Sequence, residues 1–192
     1  MIKELVHRNR SFRRFYQEEK VSLEILSELV DLARHSPCGA NLQSLKYIFS
    51  NDDNANEKIF RRLGWAGYLP DWKGPADGEK PSAYIVILGD TGIHTNFFCD
   101  HGIASQSILL GAVEKGLGGC ILGNINCEGL RKDLDIDDRF EILLVLALGK
   151  PKETVRIKYI EKGGNIKYWR DEKGVHYVPK RPLDEIILRT CP

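Results

Sequence analysis

Hydrophobic and polar positions switch between two periods along this chain, and the switches mark its elements. Leu26, Leu29, Val30 and Ala33 recur at three- and four-residue spacing, which predicts a helix with one buried face. Ser22 is a good N-cap for it, Val21 can staple onto Leu26, and Pro37 with Gly39 stops it. Residues 2–8 read as a short helix, 47–49 as a strand, 57–63 as an amphipathic helix and 83–88 as a strand. The longest helix is expected over 97–115, with Ile103 and Leu110, and Ala104, Ile108 and Ala112, on its apolar side. Gly116 is placed to be its C′ residue. Small residues along it, Gly102, Ala104, Ser105, Ser107 and Gly111, would let a second helix approach closely.

Residues 118–123 begin as a strand and 128–134 read as a short helix, while 142–148 are apolar on both faces and therefore predict a central strand. After Gly149 the pattern becomes a β excursion over about 155–178 with tight turns at Gly163-Gly164-Asn165 and Asp171-Glu172-Lys173-Gly174. A final short helix is expected over 183–189. Strands and helices mix without regular βαβ alternation, so the expected class is α+β, one domain across 1–192. The stretch 64–81 is irregular and rich in Trp65, Tyr68, Trp72, Gly and Pro, the composition of a lid, of a binding loop or of a loop that merely covers the core.

Composition narrows the function classes. A hydrophobic fraction of 42% and a charged fraction of 29% are ordinary for a soluble domain, and a net charge of +1 gives no case for nucleic acid or an anionic membrane. Any positive site must be local. The start of the chain is charged within a few residues and carries no apolar run, which reads as cytoplasmic. Five cysteines, Cys38, Cys99, Cys120, Cys127 and Cys191, match neither a disulfide framework nor a zinc spacing, so reduced and mostly buried thiols are expected. Cys99 and His101 lack a second matching pair for a metal.

Gly116-Leu117-Gly118-Gly119 follows a helix and precedes a strand, the reverse of a dinucleotide fingerprint. No sequence for a nucleophile elbow, zinc protease or P-loop is present. What stands out is Arg10-Ser11-Phe12-Arg13-Arg14-Phe15, together with Ser36-Pro37-Cys38-Gly39-Ala40-Asn41-Leu42-Gln43 a helix later. Arginine near aromatics, then a turn of Pro, Gly, Asn and Gln, suits a flat, polar, phosphate-bearing cofactor.

These two segments resemble the RSxRxF stretch and the Pro-Asn-Gln turn of the FMN-dependent nitroreductase family. His101-Gly102-Ile103-Ala104-Ser105-Gln106-Ser107-Ile108-Leu109-Leu110, Gly116-Leu117-Gly118-Gly119-Cys120 and Leu146-Ala147-Leu148-Gly149-Lys150-Pro151 recur in the family's order too. The resemblance implies a central, mostly antiparallel sheet flanked by helices, in an intertwined homodimer with FMN at the interface. It implies that Arg10, Ser11 and Arg13 hold the phosphate, ribityl chain and pyrimidine edge. The turn with Pro37, Asn41 and Gln43 would come from the other subunit, Leu122 and Gly123 would face flavin N5, and Lys180 and Arg181 would reach the phosphate. The implied activity is ping-pong reduction of a small aromatic acceptor, a nitroaromatic or quinone, by NADH or NADPH, with no catalytic side chain and no metal. Rival expectations are an FMN carrier or regulatory module without turnover, and a divergent flavin enzyme that dehalogenates, oxidises azolines or consumes the flavin. Two departures stand out: Asn9 occupies a place where many relatives carry Arg, and Ser44-Leu45 replaces Pro-Trp after Gln43.

Overall fold

The structure, a computed structural model, describes residues 1–191. Its elements run α1 (Ile2–Arg8), β1 (Phe15–Tyr16), α2 (Leu23–Arg34), a 3-10 turn (Gly39–Asn41), β2 (Leu45–Ser50), α3 (Asp53–Phe60) and β3 (Ala83–Asp90). They continue through α4 (Asp100–Glu114), β4 (Gly118–Leu122), α5 (Cys127–Leu134), β5 (Phe140–Pro151), β6 (Val155–Tyr159), β7 (Trp169–Arg170), β8 (His176–Lys180) and α6 (Leu183–Ile186). The main sheet orders β2, β3 and β5, and β5 carries both β4 and β1 on its far side; every pairing is antiparallel. The class is α+β, as the sequence predicts.

Alternation along β3 sorts the core into two layers. Ala83, Ile85 and Ile87 face α2 and α4 with Leu26, Leu29, Ile108 and Ala112, whereas Tyr84, Val86 and Leu88 face α3 and α5 with Ile59 and Leu130. β5 splits likewise, Leu146 and Leu148 against Val145 and Ala147, so the long apolar run is buried on both faces. At about 25 cal/mol per Å² of apolar surface, these two layers supply most of the drive to fold.

Local chemistry sets the helix ends. Ser22 Oγ accepts from Ile25 N at 3.2 Å, and Val21 and Leu26 share one core, as a cap and staple require. At the end of α4, Gly116 takes φ 73°, with Gly116 N donating to Val113 O at 3.1 Å and Leu117 N to Ala112 O at 2.8 Å, a complete Schellman motif. A Cβ on Gly111 would sit 2.4 Å from Leu32 Cδ1, so the small residue does admit α2 against α4.

Other expectations are corrected. The helix expected over 57–63 begins at Asp53 because Asp52 Oδ1 caps it, accepting from Ala55 N at 2.9 Å; its early asparagines hide it from a propensity reading. α4 starts at Asp100 rather than 97, since Phe98 holds φ 47° while its N–H donates to Asn96 Oδ1. Ile103 is exposed, and Ser105 and Leu109 share the buried side instead. The β excursion exists, but β6 pairs with β8 in parallel and β7 with β8 antiparallel, so the order is not that of successive hairpins. The last helix stops at Ile186. Of the five free thiols only Cys120 is buried.

Candidate functional site

The Arg10-to-Phe15 stretch runs beside β4, with Ser11 bridged to Gly119 and Phe12 N donating to Gly119 O at 3.0 Å. This explains the glycine pair. A Cβ on Gly118 would meet Phe12 at 2.5 Å, and one on Gly119 would meet Ala147 O at 2.6 Å, so only bare backbone lets three segments lie this close. Phe15 is fully buried, Arg14 is clamped by Glu79 through Nε to Oε2 at 2.6 Å, and Arg10, Ser11 and Arg13 turn to a cavity of about 260 Å³.

That cavity brings Asn9, Arg10, Ser11 and Arg13 together with Tyr168, His176, Val178 and Lys180 from the β excursion. Three of its wall residues are cations and none is a carboxylate. Arg10 donates to Val6 O at 2.7 Å, yet among the described residues its buried Nε has no partner; Arg13 donates to Ser11 O at 3.2 Å, and its buried Nε has none there either. Burial pushes the Arg10 guanidinium below its ordinary pKa. The Arg13 guanidinium lies over the Tyr168 ring at 5.1 Å, and His176 Nε2 is 3.5 Å from its Nη1. Among the expected residues, Arg181 is not brought in: it is exposed and paired with Glu185.

His176 is fully buried, and its pKa falls to about 4 through burial first, then the charges of Arg13 and Arg170. Behind it the wholly buried Glu153 accepts from the Arg13 backbone N–H and from Arg170 Nη2 at 3.0 Å. Arg170 in turn lies 4.2 Å from the centre of the Trp72 ring, and Tyr68 N donates to Tyr168 Oη at 3.1 Å. The aromatic loop is therefore fastened to the wall of the basic cavity. Its start is fastened near Gly123: Gly64 N donates to Asn124 O at 2.8 Å, and a Cβ on Gly64 would overlap the Asn124 side chain. Tyr168, Glu153, Arg170 and His176 escape sequence reading. In the sequence His176 reads, like the other four histidines, as structural or solvated and not as an obvious acid.

The second expected group lies elsewhere on the chain. Pro37, Asn41 and Gln43 are exposed, and Gln43 borders a separate cavity of about 330 Å³ with Cys38 and Tyr47. Ala40, Asn41 and Gln43 have φ of 48°, 54° and 52°, and Phe98, whose ring closes on Gly39, has 47°. Strain of this kind, about 1–2 kcal/mol for a residue such as Ala40, persists where surrounding structure imposes it. Here Asp100 Oδ1 accepts from Gly39 N at 2.9 Å, and Ser36 shares a hydrogen bond with Ser107 at 2.7 Å, both anchoring the turn to α4. Tyr47 beneath it is pushed up to about 12 by burial and then by Asp100 and Cys38. Leu122 is buried in the second core layer, while Gly123 is exposed at the end of β4.

Fold and site together define an α+β protein with a cation-lined cavity where its N-terminal stretch meets a late β excursion. The model of the nitroreductase family matches residues 6–67 and 71–150, and the chain belongs to that family. It is 24% identical to MhqN of Bacillus subtilis strain 168, provisionally named an NAD(P)H nitroreductase, over 79% of this chain and 89% of that one. A nitroreductase family protein from Clostridium novyi NT superposes with TM-score 0.66 at 20% identity, covering 79% of this chain and 86% of that one. An FMN-dependent nitroreductase from Clostridium difficile R20291 does so with 0.65 at 21% identity, covering 80% and 88%.

Proposed function

We propose that this protein is an FMN-dependent NAD(P)H oxidoreductase that reduces a small aromatic acceptor, a nitroaromatic or quinone, by a ping-pong route. The basic cavity carries this reading: three cations, no carboxylate on the wall, and two buried guanidinium Nε atoms without an acceptor. A phosphate monoester offers the missing acceptors and offsets the crowded charge, so the residues fit the phosphate of FMN. The names of MhqN and of the Clostridium difficile protein support the same reading.

When bound, FMN supplies the hydride and electron chemistry, and no protein nucleophile is needed. The chain's own residues bind and orient. In this reading Arg10, with Lys180, would hold the phosphate, Ser11 the ribityl chain, and Arg13 would place positive charge by the pyrimidine edge, where it would offset negative charge. Leu122 and Gly123 border the reacting edge, and the loop 64–81, tied at Asn124 and Tyr168, excludes water and shapes the acceptor site. A cavity of about 260 Å³ is smaller than the roughly 300–1,000 Å³ of complete small-molecule sites. The remainder is assigned to a second copy, whose Pro37, Asn41 and Gln43 complete the enclosure of a homodimer.

The visible absorption spectrum of the purified protein, followed by anaerobic titration with NADH and with NADPH, tests the reading. A flavin spectrum bleached by one of them is expected; a preparation still colourless after incubation with FMN overturns it. Mass measurement in solution should give a dimer, and a flavin-loaded monomer contradicts the shared site. Steady NAD(P)H oxidation with menadione separates an enzyme from a flavin carrier.

A further inference from the structure

His176 is the one fully buried titratable group on the wall of the basic cavity, and the binding scheme above leaves it unused. Its surroundings determine its protonation. Arg13 and Arg170 are the charges that act on it, Tyr168 packs on its ring at 5.2 Å, and Arg10 and Lys180 share its cavity. Glu153, the nearby anion, already accepts from the Arg13 backbone N–H and from Arg170. A protonated ring would stand among cations with no carboxylate bonded to it among the described residues, so the ring is neutral. A neutral imidazole has one donor and one acceptor nitrogen.

The neighbour decides which is which. The Arg13 guanidinium can only donate, and its Nη1 lies 3.5 Å from Nε2, so Nε2 is the acceptor and the proton resides on Nδ1. Nδ1 is buried and has no partner among the described residues. A buried N–H without an acceptor is costly, and this ring borders a cavity whose other polar walls are mainly donors.

Resting on the FMN reading, we propose that His176 is a further cofactor-binding residue, holding Arg13 through Nε2 and donating from Nδ1–H to the group bound in the cavity. The two nitrogens then serve one end: the first keeps the guanidinium aimed, the second adds a neutral donor where another cation would meet mounting repulsion. The late β excursion thereby takes a direct part in the site, through a residue type whose protonation state is imposed by the arginines around it.

The test is FMN titration of flavin-free full-length protein, followed by flavin fluorescence, for wild type and three variants. His176→Leu removes both nitrogens and should weaken FMN about tenfold or more. His176→Asn, which puts an amide N–H near the Nδ1 position, should recover most of the loss; His176→Gln, which reaches the Nε2 position, should recover less. Equal affinity of wild type and His176→Leu overturns the proposal alone, as does failure of both isosteres to exceed Leu. No FMN uptake by wild type overturns the cofactor reading and the proposal with it. Nitrogen-15 NMR of the histidine rings gives a check that survives a misfolded variant. The His176 proton is expected on Nδ1 and should shift on FMN addition; a proton on Nε2 in the loaded protein overturns the proposal.

Discussion

The Arg10–Arg13 cavity and the Pro37–Gln43 turn each touch α4, through Asn9 to Gln106 and through Asp100 and Ser107, yet they are finished to different degrees. Around the cavity one chain supplies the charge: cations from the N-terminal stretch, Lys180 and His176 from the last strand, and Glu153 and Arg170 behind them. The turn is strained and anchored at its base by Asp100 and Ser107, but Pro37, Asn41 and Gln43 point to solvent. A site for charge can be closed within one chain because desolvated cations need fixed neighbours at close range. A rigid turn with exposed tips is the form that docks onto something else, which in the proposed homodimer is the partner's cofactor.

Breaking the cavity should have the largest effect. Arg10→Ala with Arg13→Ala removes two charge-assisted contacts worth about 1.5–3 kcal/mol each, so FMN should be lost on gel filtration. Flavin retained by the double variant would show that the turn, not the cavity, is the binding half.

Acid should also strike the cavity first. His176 titrates near 6.5 when unfolded and about 4 when folded, so between these values the unfolded chain takes up a proton that the native state refuses. Stability is therefore lost as pH falls from about 6.5 to about 4, by about 3 kcal/mol in full. Glu57 and Glu79, whose pKa values are lowered chiefly by Lys80 and Arg14, add their own acid loss. Subtracting the unfolding profile of His176→Asn isolates the imidazole, and parallel profiles would refute its buried neutral state.

Two glycine tests sharpen the comparison further. Gly119→Ala places a Cβ 2.6 Å from Ala147 O and should destabilise by about 1–3 kcal/mol, with weaker FMN binding because Ser11 shifts with it. The smallest effect is expected at the turn: Ala40→Gly relieves a left-handed φ of 48° and should raise stability by up to about 0.5–1 kcal/mol. A large loss there, read by thermal unfolding, would mean the Ala40 methyl is held by contacts within the chain.

Much of this was legible beforehand where the physics is local. The cap at Ser22, the C′ glycine at Gly116, the two-faced burial of β5 and the α+β class follow from spacing and side-chain chemistry within a few residues. The arginine stretch is recognisable as chemistry for the same reason. Asp52 and Asn96 were harder, since a capping carboxylate and an amide turn are each compatible with several boundaries.

The amino-acid sequence by itself determined which segments bury a face, where helices are capped, and that positive charge is concentrated near Arg10. Tertiary structure alone decided that Arg14 goes to Glu79 while Arg13 goes to the cavity, that Arg181 stays out while Lys180 enters, and that His176 stands neutral among cations. The reason is range: propensity and capping act over three or four residues, whereas Arg13 and His176 are 163 positions apart and meet only because the late excursion folds back on the N-terminal stretch.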